Sequence, residues 1–334
     1  MILHPGILAL IIGSAVTLLM LCYAAITGGI IFASWDYQSS SAYQLALERK
    51  TYLVSTLVNY ALGFQIVAFV LFIYTMDDIH RLFVGAMCAT GSLNANPVGW
   101  YALFSKIVVF FLSGFWIALN FIDQRAEQYP FVRLKYLLLF VVVPFVLLDA
   151  ILQLAYFLGL EPDIITSCCG SLFGSGGESA ASTIAALPVF PAMAAFYSFS
   201  VVYLTVLGLN LVFTSGMFRY LLLVFSSGFF VLSIVSIVSF VSIYIYELPT
   251  HHCPFDILQG GYHFVGYPLY LTLFFGIYLG MLPGLFQPLK KKLSQQGAIN
   301  DVEKKWIQWS LGSNAIFIAL VTYVIGFSKL VYLQ

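Results

Sequence analysis

The chain has 334 residues, 61% hydrophobic and 17% aromatic, with only 8% charged and a formal net charge of +0. Soluble domains carry about 25% charged residues, so 14 basic and 14 acidic side chains cannot coat this chain in water, and most of its surface must meet lipid. That balance excludes a cytosolic enzyme, a nucleic-acid-binding module with a basic face, a disordered chain and a disulfide-stapled mini-protein.

A spanning helix needs about 20 mostly apolar residues, and eight such runs are predicted, at 6–33, 52–76, 98–121, 134–159, 187–213, 218–246, 264–287 and 307–331. The short alternating segments of a β-barrel are absent. The expected fold is therefore all-α, a polytopic bundle forming a single integral membrane domain over 1–334. The first run lacks a basic leader and continues to Trp35 and Asp36, so it reads as a span rather than a removed signal peptide.

In chain order, the first run holds Cys22 and is followed by a linker with Arg49 and Lys50. The second leads to a loop with Cys88 (AMCATGSLNANP), and the third contains Lys106. Arg125, Arg133 and Lys135 surround the next linker, and Asp149 lies deep in the fourth run. Cys168 and Cys169 (TSCCGSLF) then precede a Gly/Ser-rich stretch, 170–182, whose plain reading is a flexible loop. The sixth run carries Ser233, Ser236, Ser239 and Ser242 on one slowly drifting side, a pattern that favours close helix packing. His251, His252 and Cys253 (THHCPFDIL) open the next loop, and Lys290, Lys291, Lys292, Lys304 and Lys305 lie before the eighth run.

With eight spans both termini share a side. Eleven of the 14 basic residues fall on the opposite one, whereas Asp77, Asp78, Glu161, Asp163, Glu178, Glu247 and Asp256 fall with the termini. By the positive-inside rule the basic side is cytoplasmic. Both termini and the loops of Cys88, Cys168, Cys169 and Cys253 are thereby expected outside a cell inner membrane, facing the periplasm. Trp35, Trp100, Trp306 and Trp309 stand at predicted span ends, as in an aromatic belt.

Three chemistries compete for the cysteine loops. Two structural disulfides would tie the loops, contributing about 2–4 kcal/mol each. Thiol–disulfide exchange would use Cys168, Cys169 and Cys253 as exchanging thiols and Cys88 as the resolving one, with His251 and His252 stabilising a thiolate. Cys253 opens a CPFD run in which Asp256 stands where a Cys-Pro-x-Cys motif has its second cysteine, so the resolving thiol must come from another loop. Soft-metal capture is the third option, but no C-x-x-C or H-x-x-x-H spacing supports it, and no metal ligands are assigned.

Lys106 and Asp149 lie about 12–13 Å below their helix ends at 1.5 Å per residue. A charge at such depth costs about 2.5–3.5 kcal/mol even on lenient insertion scales, so the two are expected to pair, as a structural bridge or a proton route. No histidine sits mid-span, which argues against an intramembrane haem. The 21 Tyr and 31 Phe are core first, with a quinone pocket as the one cofactor they suggest. Walker loops, dinucleotide turns and HExxH are absent from the sequence.

The leading expectation is an outward Cys/His cluster for thiol–disulfide or electron-transfer chemistry with a periplasmic redox protein or other membrane subunits. The alternatives are a non-catalytic anchor stapled by disulfides and a soft-metal or small-solute permease. Orientation has a direct test: an impermeant thiol reagent applied from outside, after reduction, should label Cys253. Labelling only from the cytoplasmic side would overturn the assignment.

Overall fold

The computed structural model describes residues 2–39, 41–126, 129–161, 166, 180–213, 215–292 and 296–330. Among them the chain is helical, and eight helices are long and apolar enough to cross a membrane. The protein is thus a multi-pass membrane protein by length and composition of its helices. The helices group into two compact units, Met1–Val84 with Ser92–Ile164, and Gly85–Gly91 with Ile165–Gln334.

In the first unit, α1 (Pro5–Ser34) packs on α2 (Ala42–Ile79), α2 on α4 (Gly99–Arg125), α4 on α5 (Val132–Leu158), and α5 back on α1. The short α3 (Ala89–Asn94) precedes α4. Pro5 starts α1 at a position where its missing N–H is no loss. Ser41 caps α2 by accepting a hydrogen bond from the Gln44 amide at 3.2 Å. The core between the four helices holds Leu21, Val58, Trp116, Tyr136 and Val146, whereas Leu19 and Ile26 on the outer face are 73% and 72% exposed. Such an inside-out distribution of exposed aliphatics is tolerable only against lipid. Trp35, expected in an interfacial belt, is instead buried in this core.

The second unit repeats the ring. After the short α6 (Ala180–Ala185), α7 (Val189–Val212) packs on α8 (Gly216–Ser236), α8 on α10 (Gly266–Phe286), α10 on α11 (Gln296–Phe327), and α11 on α7. The sixth span continues beyond α8 through a π-helical turn, Ile237–Val241, into α9 (Ser242–Tyr246). Gly276, Gly280 and Gly284 make a side-chain-free ridge along α10 at four-residue spacing. A Cβ on Gly280 would lie 2.8–2.9 Å from the hydroxyls of Tyr203, Ser226 and Ser310. The ridge is what lets those polar groups meet inside the bundle, the small-residue packing of membrane helices. Pro268 sits in the first turn of α10, where proline is tolerated.

Charges are buried in pairs. Lys106 Nζ meets Asp149 Oδ2 at 2.8 Å, and Ser105 donates to Asp149 Oδ1 at 2.7 Å. Lys106 also lies over the Phe72 ring at 5.4 Å. Three further paired cations, Lys135 and Arg219 buried and Lys290 partly buried, were not evident as interior groups in the sequence. Lys135 bridges to Asp123 at 2.8 Å, while Lys290 and Arg219 reach Glu303 at 2.6 and 3.4 Å. Removing one partner of a buried pair costs about 3–5 kcal/mol, whereas apolar replacement of both is often neutral. Accordingly, K106M should lower the unfolding free energy in mixed micelles by about that amount, and K106M/D149L should recover most of it. Equal losses in the single and double variants would refute pairing as the reason both charges are tolerated.

Candidate functional site

The second unit brings together the loops that carry Cys88 and Cys253. Gly85 opens the first at φ +85, and a Cβ there would stand 2.9 Å from the Thr166 carbonyl oxygen, so the turn requires glycine. The second loop, 247–265, is held by tyrosines: Tyr246 Oη donates to the Cys253 carbonyl at 2.5 Å and Tyr270 Oη to the Pro254 carbonyl at 2.7 Å. Gln259 ties the two loops by donating to the Met87 carbonyl at 2.6 Å. Three of the four described non-glycine residues at positive φ, Glu247, His263 and Phe264, lie in this second loop. Such strain costs about 1–3 kcal/mol per residue and persists where surrounding structure enforces it.

Cys88 and Cys253, 165 positions apart in sequence, place their sulfurs 3.5 Å from each other, and both are fully buried. A disulfide needs about 2.05 Å, so the structural staple considered from sequence is not formed by this pair. Cys22 lies apart from the site, exposed on α1. Cys168 and Cys169 fall outside the described residues.

Cys253 Sγ accepts a hydrogen bond from the Phe255 amide at 3.4 Å and contacts Thr90 Oγ1 at 3.4 Å. The amide bond strengthens when the sulfur is charged. Asp256 completes the cluster: one ligand atom from each of Cys88, Cys253 and Asp256 lies within 4.8 Å of the others. His251 Nε2 meets Asp256 Oδ2 at 2.5 Å, with the imidazole 27% exposed. Asp256 Oδ1 is buried and makes no hydrogen bond of good geometry among the described residues.

The hydrogen bond that His251 donates to Asp256 raises the His251 pKa above its usual 6.5, burial opposing only in part. Burial pushes the Asp256 carboxyl up, but His251 and the approach of both thiols more than offset it and hold the group below its usual 3.8. Burial, with the negative charge of Asp256 and Cys253, pushes the Tyr262 phenol up.

The other expected residues are placed differently. His252 is buried with Nδ1 on the Val238 carbonyl at 2.9 Å, a carbonyl within the π-helical turn that also accepts from Ser242 Oγ at 3.2 Å. His251 holds Asp256 and feels the charge of Cys88, whereas His252 holds the sixth span. Lys106 and Asp149 form a closed pair in the first unit, with both carboxylate oxygens engaged. Thr90, Tyr246 and Tyr270 were not singled out by sequence; for Thr90 the only signal was its position two residues beyond Cys88.

With this geometry in view, comparison was uninformative. No family model, curated protein or solved structure matches the chain. The chemistry rests on the cluster itself: two thiols, a carboxylate and an imidazole brought together, able to hold an electron pair as a dithiol and release it on forming a disulfide, or to hold a thiophilic ion.

The His251–Asp256 contact has a defined pH window. The raised histidine pKa contributes stability that is complete below 6.5 and lost as pH rises through the folded value. The lowered carboxyl contributes above 3.8 and is lost as pH falls through its folded value. Nuclear magnetic resonance of metal-free protein in micelles should show His251 titrating above 6.5, and D256N should move it down. An unchanged His251 titration in D256N would contradict the pairing. Because Cys253 is buried, Met87, 65% exposed in the adjoining loop, is the better sidedness reporter as M87C in a chain lacking its native cysteines.

Proposed function

We propose that this multi-pass membrane protein performs thiol–disulfide exchange, or electron transfer coupled to it, with an extracytoplasmic partner. The inner dithiol is Cys88 and Cys253. The observation that carries the reading is their 3.5 Å separation beside the Asp256 carboxylate. Bond formation requires the sulfurs to close from 3.5 Å to about 2.05 Å.

The exchange balances as follows. Asp256 takes the Cys253 proton, and the thiolate attacks a sulfur of the incoming disulfide, releasing the other sulfur as a thiolate. Cys88, on losing its own proton, attacks Cys253 Sγ and frees the second thiolate. The inner pair loses two electrons and two protons, and the incoming disulfide gains both as a dithiol. The reverse sequence oxidises a partner dithiol. Phe255 N–H and Thr90 favour Cys253 as the attacking sulfur, a refinement of the role expected for it.

Burial of the inner pair implies a relay to any protein partner. Thr166 packs against the loop that carries Cys88 at both Gly85 and Gly91, which supports Cys168 and Cys169, two and three positions further on, as the outer thiols. The distribution of basic residues supports an outward placement of these loops in a cell inner membrane. A quinone as the final electron acceptor belongs to this proposal.

Mass mapping of the purified protein against disulfide buffers of graded potential should show Cys88 and Cys253 losing two hydrogens together. C88S should trap a mixed disulfide at Cys253, and D256N should slow exchange by about 100-fold, as expected for loss of a proton acceptor. A pair that stays reduced in every buffer, with Cys→Ser variants losing only stability, would refute the reading and favour a non-catalytic anchor.

A further inference from the structure

We propose that Cys88, Cys253 and Asp256 form a binding site for a borderline-soft divalent metal ion of the Zn²⁺ class. The inference rests on the same reduced cysteine pair as the exchange reaction but requires no redox step. Binding would displace the two thiol protons to solvent and leave every oxidation state unchanged.

Three features of the recess carry it. The first is the sulfur spacing. Two thiolates on one ion at Zn–S distances of about 2.3 Å, separated by 3.5 Å, subtend roughly 100° at the metal, close to a tetrahedral angle. The same spacing is too long for a disulfide, so the pair already stands where two ligands of one ion would stand.

The second is the carboxylate. Asp256 is 6% exposed, and its Oδ1 has no hydrogen-bond partner of good geometry among the described residues. The thiols of Cys88 and Cys253 donate toward this carboxylate, and an ion replacing their protons would take over that compensation. All three ligand atoms lie within 4.8 Å of one another, so one ion can engage both sulfurs and a carboxylate oxygen of Asp256. Its Oδ2 is fixed by His251 at 2.5 Å. That is the outer contact by which metal-ligating carboxylates are commonly oriented.

The third is ligand softness. Thiolates alone would suit Cu(I), whereas a carboxylate beside them shifts preference toward a borderline ion that takes both sulfur and oxygen. Three anionic ligands also match a divalent better than a monovalent charge. With three protein ligands the fourth tetrahedral position remains for water or another donor, as in open zinc sites.

The test uses the full-length, anaerobically reduced protein in micelles, with Cd²⁺ as spectroscopic probe and Zn²⁺ as competitor. One Cd²⁺ per chain should bind with a thiolate-to-metal ultraviolet band, and Zn²⁺ should displace it. Bound metal should protect Cys88 and Cys253, but not Cys22, from alkylation in the unmutated chain, so the result does not depend on a variant folding. C253S should abolish the band, and D256N should weaken binding at least 10-fold. C168S/C169S should retain stoichiometry. No binding, or binding lost in C168S/C169S but kept in C253S, would overturn the site. A protein that oxidises the pair yet binds no metal defeats this inference alone; one that binds metal but resists oxidation defeats the exchange reading alone.

Discussion

A carboxylate buried in a bundle whose outer solvent is lipid cannot be rescued by water, so its charge must be matched inside the chain. Among the described residues, four buried carboxylates meet this constraint in the same way, each against a basic group. Asp149 has Lys106, Asp123 has Lys135, Glu303 has Lys290 and Arg219, and Asp256 has His251. The Asp149, Asp123 and Glu303 pairs pin neighbouring helical segments in register, because a slip of one residue would leave a naked charge in an apolar interior.

The four differ in how completely they are satisfied, and the difference separates scaffold from chemistry. Asp149 uses both oxygens, on Lys106 and Ser105; Asp123 uses both, on Lys135 and the Phe131 amide. These are finished locks. Glu303 serves two cations and keeps one oxygen over, within a cluster that also leaves Arg219 donors unused. Asp256 alone pairs with a titratable imidazole and stands against two thiols, and its Oδ1 makes no hydrogen bond of good geometry among the described residues. A group left incomplete beside nucleophilic sulfur is where reaction or coordination is to be sought.

The site depends on the bundle for its shape. The π-helical turn at Ile237–Val241 offers the Val238 carbonyl to His252, the residue immediately before Cys253. Tyr246, at the end of the same span, holds the Cys253 carbonyl. Two anchors on adjacent residues fix where the sulfur points. Single-turn π segments recur at functional sites because the widened turn releases backbone groups for such use. The Gly276, Gly280 and Gly284 ridge does the complementary work by letting the hydroxyl groups of three helices converge.

Eight helices and the apolar solvent were legible in the sequence, because a spanning segment is a local property of about 20 residues. Lys106 and Asp149 were legible as partners since no other charges stand at that depth in the runs. Lys135, Arg219 and Glu303 were not, because they lie near helix ends, where only packing decides between water and interior. Four loop cysteines were visible as candidates, but sequence spacing carries no information about which of two thiols 165 positions apart will meet. Likewise Asp256 looked like the place of a missing cysteine until its carboxylate was found against both sulfurs. The sequence by itself determined the solvent, the helices and the inventory of reactive groups, all set by local composition. Only the tertiary structure decided that Cys88, Cys253, Asp256 and His251 share one recess, because that proximity arises from long-range packing of helices and loops.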